Sequence, residues 1–145
     1  MSAEMRDGFI LDVHIYQSTM KEDAKGVVAP SPLYIWMHGG GFVYGEGRDS
    51  MMIAGMPECN VTTTLNNEVV TFNNVIVASV EYRKPPEYKF PVATDDCFDT
   101  LLWLLDNAED IGFDPSRVSI GGTSAGGNLA AVLAQRAYRA GIQIM

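Results

Sequence analysis

The strongest constraint in this sequence is a pair of glycine-rich corners, each placed directly behind an apolar run. Leu33-Tyr34-Ile35-Trp36-Met37 is a continuous apolar stretch that ends at His38-Gly39-Gly40-Gly41-Phe42. About eighty residues later, Arg117 to Ile120 runs into Gly121-Gly122-Thr123-Ser124-Ala125-Gly126-Gly127, and an alanine-rich segment reaching Ala140 follows. An apolar run without alternation fits a strand covered on both faces. Glycine at its end lets the backbone turn sharply or approach another backbone closely.

The intervening pattern supports the same architecture. Phe9 to Tyr16 alternates in the period of a half-buried strand after a turn at Arg6-Asp7-Gly8. Val75 to Val80 is another buried strand, and Lys84-Pro85-Pro86 is a loop, because consecutive prolines remove donors and restrict the residue before them. Phe98, Leu101, Leu102 and Leu105 recur at helical spacing within Thr94 to Asp110, with Asp95, Asp96 and Asp99 in the early turns that the helix dipole favours. Asp114-Pro115-Ser116 reads as a turn into the strand Arg117 to Ile120, and Gly141 closes the helix Ala125 to Ala140. Ile142 to Met145 reads as the start of a further strand. Gln17 to Pro32 reads as a polar loop, Met51, Met52, Ile53 and Met56 suggest a short helix, and Asn60 to Asn74 reads as a polar connection. Strands alternating with helices predict an α/β fold with a mostly parallel sheet, right-handed crossovers and flanking helices.

Composition narrows the function classes. At 145 residues and 47% hydrophobic the chain has material for one core, so 1–145 is read as one partial domain. Eighteen acidic against ten basic residues give a charge of −8, which repels nucleic acid. No stretch approaches the ~20 apolar residues of a membrane span. Cys59 and Cys97 are the only cysteines and form no CxxC pair, so the expectation is ordinary packing, a reducing, cytoplasmic compartment, and neither metal nor cofactor.

Gly122-Thr123-Ser124-Ala125-Gly126 lies between a strand and a helix, the context in which a Gly-x-Ser-x-Gly match signifies a nucleophile elbow. The serine occupies a strained turn, so the residues two before and two after it, Gly122 and Gly126, must be small. The competing reading is a phosphate-binding turn at a helix amino terminus, although neither Gly-x-Gly-x-x-Gly spacing nor a P-loop lysine is present. His38-Gly39-Gly40-Gly41 weighs for the elbow, because a glycine-rich loop behind an earlier strand is where backbone N–H groups would face an oxyanion.

Taken together, His38-Gly39-Gly40-Gly41-Phe42, Glu81-Tyr82-Arg83 with Pro86-Glu87, Phe90-Pro91 with Asp96, and Gly122-Thr123-Ser124-Ala125-Gly126-Gly127-Asn128 resemble the hormone-sensitive-lipase group of α/β-hydrolases. That group includes carboxylesterases and arylacetamide deacetylases. The resemblance implies that Ser124 attacks the carbonyl of a small-molecule ester while the N–H groups of Gly40, Gly41 and Ala125 hold the oxyanion. It makes Gly39 a support of the loop, His38 a loop-shaping residue, and Glu81, Tyr82 and Arg83 a scaffold beneath the site. Lys84 and Pro85 depart from the Leu-Ala usual there.

A serine hydroxyl needs an adjacent base, and these hydrolases supply acid and histidine after the serine in chain order. No Asp, Glu or His follows Ser124, and the only histidines are His14, on a strand, and His38. The family also carries an amino-terminal cap and an earlier strand, whereas seven residues precede Gly8. The expectation is therefore a fragment with a sheet short on both sides, weak or inactive alone and able to self-associate through an apolar open edge. The second reading is a non-catalytic ligand-binding or remnant protein on the same scaffold, as in plant gibberellin receptors; a nucleotide-binding α/β domain is third.

Overall fold

A computed structural model describes residues 1–17, 29–47 and 75–145. The expected helix around Met51 to Met56, the Asn60 to Asn74 connection, Cys59 and most of the Gln17 to Pro32 loop lie outside them. The described strands are β1 (Ser2–Glu4), β2 (Ile10–Tyr16), β3 (Ser31–Met37), β4 (Ile76–Val80) and β5 (Phe113–Gly122). The helices are α1 (Val92–Asp106), α2 (Ala108–Ile111) and α3 (Ala125–Arg139). The strands form one sheet in the order β1-β2-β4-β3-β5.

The expected parallel arrangement holds where the glycine corners are: β3 pairs in parallel with β4 on one side and β5 on the other. The amino-terminal part differs, since β2 runs antiparallel to β4 and β1 antiparallel to β2. The alternation in β2 reported a covered face, and a covered face carries no information about direction. β1 also corrects the expectation that no earlier strand precedes Gly8. Seven residues suffice because Gly8, at φ 80°, makes a tight hairpin, with Met5 N–H donating to Phe9 O at 2.8 Å.

Two further boundaries moved. The single helix expected over Thr94 to Asp110 is broken at Asn107, whose side-chain amide donates to Trp103 O at 2.7 Å and competes with the helical ladder. The turn expected at Asp114-Pro115-Ser116 is instead a bulge inside β5. The register passes from Ser31↔Phe113 to Leu33↔Val118, Pro115 has no N–H for the ladder, and Asp114 Oδ1 accepts the Ser116 N–H at 2.9 Å. Gly141 ends α3 as expected, with φ 73° and Ile142 N–H donating to Ala137 O at 2.9 Å. No strand forms over Ile142 to Met145, but the segment follows β5, with Met145 N–H donating to Val118 O at 2.9 Å.

The core is one cluster. Leu33, Ile35 and Met37 of β3 and Val118 of β5 pack with Leu101 and Leu104 of α1 and with Leu129, Leu133 and Ala137 of α3. Cys97 is buried in it, as expected for a packing residue, and burial pushes its thiol pKa up. The acidic residues of α1 do more than face the helix dipole. Asp96 is fully buried against Arg83, accepting from Nε and Nη2 at 3.0 and 2.6 Å, and Asp99 pairs with Arg6. Among the described residues no helix is long and apolar enough to cross a membrane.

Candidate active site

Parallel pairing brings the two corners together. Met37 lies opposite Val80 of β4 on one side and Gly122 of β5 on the other, so three chains leave the sheet in one row. Adjacent strands are ~4.8 Å apart, which puts His38, Glu81 and Thr123 side by side at the carboxyl end of the sheet. Open α/β sheets build their sites at this end.

Ser124 is the second residue off β5 and the cap of α3, with φ 52° and ψ −118°. A non-glycine residue at that φ is strained and persists only where its surroundings dictate it. Here the surroundings are backbone. Thr123 N–H donates to Met37 O at 3.3 Å, and a Cβ at Gly122 would lie 2.7 Å from that oxygen. A Cβ at Gly126 would lie 2.5 Å from His38 O and would overlap Met37 O. The strand and helix thus meet as the small residues at these positions require. Ser124 is exposed, whereas Ala125, whose N–H heads α3, is buried.

The other corner is a compact turn. Gly40, at φ 119°, accepts from the N–H groups of Val43 and Tyr44 at 3.0 and 2.9 Å, and a side chain on Gly40 would overlap Tyr44 O. Gly41, at φ 61°, is exposed and its surroundings are open. Among the described residues, neither the Gly40 nor the Gly41 N–H donates to a backbone carbonyl. Gly39 is buried and takes the His38 side chain on its carbonyl oxygen.

His38 is 2% exposed. Its Nδ1–H donates to Gly39 O at 2.6 Å, which fixes the tautomer, and its ring stacks on Tyr82 at 4.3 Å. Tyr82 O–H donates to His38 O at 2.8 Å. Burial, the largest influence, holds the His38 pKa below the ordinary histidine range. The ring leans toward β4, on the opposite side of β3 from Ser124. His14 lies on β2, its Nε2 3.9 Å from Glu81 Oε2.

The sequence of the alpha/beta hydrolase fold family matches residues 34–145, both corners included. The chain belongs to the α/β-hydrolase fold family. Its relatives in this family include an ethyl acetate hydrolase of Pseudomonas putida, 34% identical over 94% of this chain and 38% of that protein. Another is an arylacetamide deacetylase of Oryctolagus cuniculus, 40% identical over 70% of this chain and 23% of that protein. A solved bacterial heroin esterase superposes with a TM-score of 0.81 at 32% identity, over all of this chain and 40% of that one. This α/β-hydrolase chain therefore spans less than half the length of these relatives.

Sequence reasoning missed how the site's α/β-hydrolase scaffold is tied down. Ser79 and Glu81 both bond to Gly47, and Asp7 accepts from Arg83 Nη1 at 2.7 Å. Asp7 and Arg83 are 76 positions apart, and no motif spacing announces such a pair.

Proposed function

We propose that this chain is the nucleophile- and oxyanion-bearing part of a carboxylic ester hydrolase for small-molecule esters. Ser124 Oγ attacks the ester carbonyl, the N–H groups of Gly40, Gly41 and Ala125 receive the oxyanion, and an acyl-enzyme forms as the alcohol departs. The observation that carries the reading is the register of Met37 with Gly122, which lines the three-glycine turn up beside a strained Ser124. Relatives named for ethyl acetate hydrolysis and arylacetamide deacetylation support small acyl groups as substrates. Gly39, Gly122 and Gly126 serve as supports, and His38, held through Nδ1 by Gly39 O and stacked on Tyr82, shapes the loop.

Within these residues Ser124 lacks a base, because no Asp, Glu or His follows it and both histidines face other partners. Hydrolysis by this chain alone is therefore expected near background. The test is a fluorophosphonate probe and a short p-nitrophenyl ester applied to the folded chain beside Ser124→Ala. Serine-dependent labelling with slow or absent turnover is expected; equal labelling of the variant would remove Ser124 from the mechanism, and rapid turnover would show that a base is present.

A further inference from the structure

We infer that Ser79 and Glu81 are positioning residues of the oxyanion loop, gripping the Gly47 backbone between them and thereby fixing the turn that carries Gly40 and Gly41. The inference rests on the proposed role of those two glycines. Ser79 O–H donates to Gly47 O at 2.7 Å, and Gly47 N–H donates to Glu81 Oε2. Both polar backbone atoms of one residue are thus held by two side chains on one face at the end of β4. Ser79 is fully buried, and Lys84 Nζ donates to the other Glu81 oxygen at 2.6 Å. Gly47 is itself pressed against that strand: a Cβ there would lie 3.1 Å from His14 Cδ2, 3.2 Å from Glu81 Oε2 and 3.3 Å from the Val80 carbonyl carbon.

The segment from His38 to Gly47 is consequently held at both ends by β4 and the residues directly after it, through Tyr82 at His38 and through Ser79 and Glu81 at Gly47. Between these anchors, among the described residues, the backbone bonds that close the turn are those of Val43 and Tyr44 to Gly40 O. Five of its ten residues are glycine, so free ends would leave the turn many conformations. Oxyanion donors act only when held in place beforehand. The strand that contributes no reacting group therefore sets the geometry of those that do.

The full chain and its Ser79→Ala, Glu81→Ala and Glu81→Gln variants would be compared by hydrogen exchange over residues 38–47 and by affinity for butylboronic acid. That probe forms an Oγ–B bond with Ser124 as the hydroxyl proton passes to solvent, leaving a tetrahedral boronate anion at the oxyanion position. In both alanine variants, loop amides should exchange at least about tenfold faster and boronate binding should weaken about tenfold, with β3 and β4 amides unchanged. Glu81→Gln keeps an acceptor for Gly47 N–H and should restore both to within about threefold of the parent. Unchanged loop exchange in the alanine variants overturns the inference, as does faster exchange with undiminished boronate affinity. Should Ser79→Ala fail to fold, the Glu81 pair decides alone, because that side chain is 25% exposed. A parent chain that binds no boronate refutes the Ser124 reading instead, and loop exchange still decides whether the clamp exists.

Discussion

Replacing Gly126 with alanine sets two opposing effects against each other. Alanine is favoured over glycine inside a helix by about 1 kcal/mol, and Gly126 lies in the first turn of α3, where the benefit is at most that. Against it, the new Cβ would overlap Met37 O and lie 2.5 Å from His38 O and 2.6 Å from the Met37 carbonyl carbon. Comfortable carbon contacts are at about 3.5–4.0 Å, so the end of β3 or the start of α3 must retreat by about 1 Å. Met37 is paired on both sides, with Val80 and Gly122, and has nowhere to go. Overpacking of this kind costs about 1–3 kcal/mol, and rigid backbone puts it at the upper end, for a net loss of about 2 kcal/mol. Gly127 provides the control. Its Cβ would lie 3.3 Å from Gly122 O and 3.8 Å from the carbon, a few tenths of an ångström too tight at most, so Gly127→Ala should stay within about 0.5 kcal/mol of the parent. Urea unfolding at constant m-value measures both, and thermal midpoints should differ by about 5 °C. Equal stability of the two variants would refute the close strand-to-helix contact on which the elbow reading depends.

Two further outcomes follow from buried charge. Asp96→Ala leaves Arg83, whose side chain is 8% exposed, with Asp7 as its one anionic partner among the described residues, and should cost about 3–5 kcal/mol in urea unfolding. His38 has its folded pKa lowered, so the unfolded chain takes up a proton first as the pH falls. Its contribution to stability is complete above the ordinary value of about 6.5 and declines below it toward the folded pKa, by at most about 1.4 kcal/mol per pH unit. Stability measured at pH 7.5 and 5.5 should fall less in His38→Asn than in the parent; an equal fall in both would show that His38 does not titrate as described.

What could be read from the sequence was whatever one residue type makes obligatory. Gly122 and Gly126 are the only residue type that admits Met37 O and His38 O at these distances, and Pro115 had to interrupt a ladder. Strand direction left no such mark: the alternation of β2 is the same whether it runs with β4 or against it. Asn107 breaks the helix through its own side chain, an effect that apolar spacing over Thr94 to Asp110 does not register. The Arg6–Asp99 and Arg83–Asp96 pairs join residues 93 and 13 positions apart, and only the folded sheet selects those partners from eighteen acids and ten bases.

The two non-glycine residues with positive φ among those described, Phe42 at 67° and Ser124 at 52°, sit one in each corner. Both corners leave the sheet beside a single residue, Met37. Its carbonyl accepts Thr123 N–H at 3.3 Å and sets the space that excludes side chains at Gly122 and Gly126, while its chain continues into His38 and the glycine turn. The sequence distance between the corners is therefore immaterial to their meeting; only the register of β3 with β5 matters. A slip of one residue would turn the inward set of side chains outward and separate Gly122 from Met37. β3, buried through Leu33, Ile35 and Met37 and paired on both edges, resists such a slip. The strain at Ser124 is tolerable because it is stored against a strand that is paired on both edges.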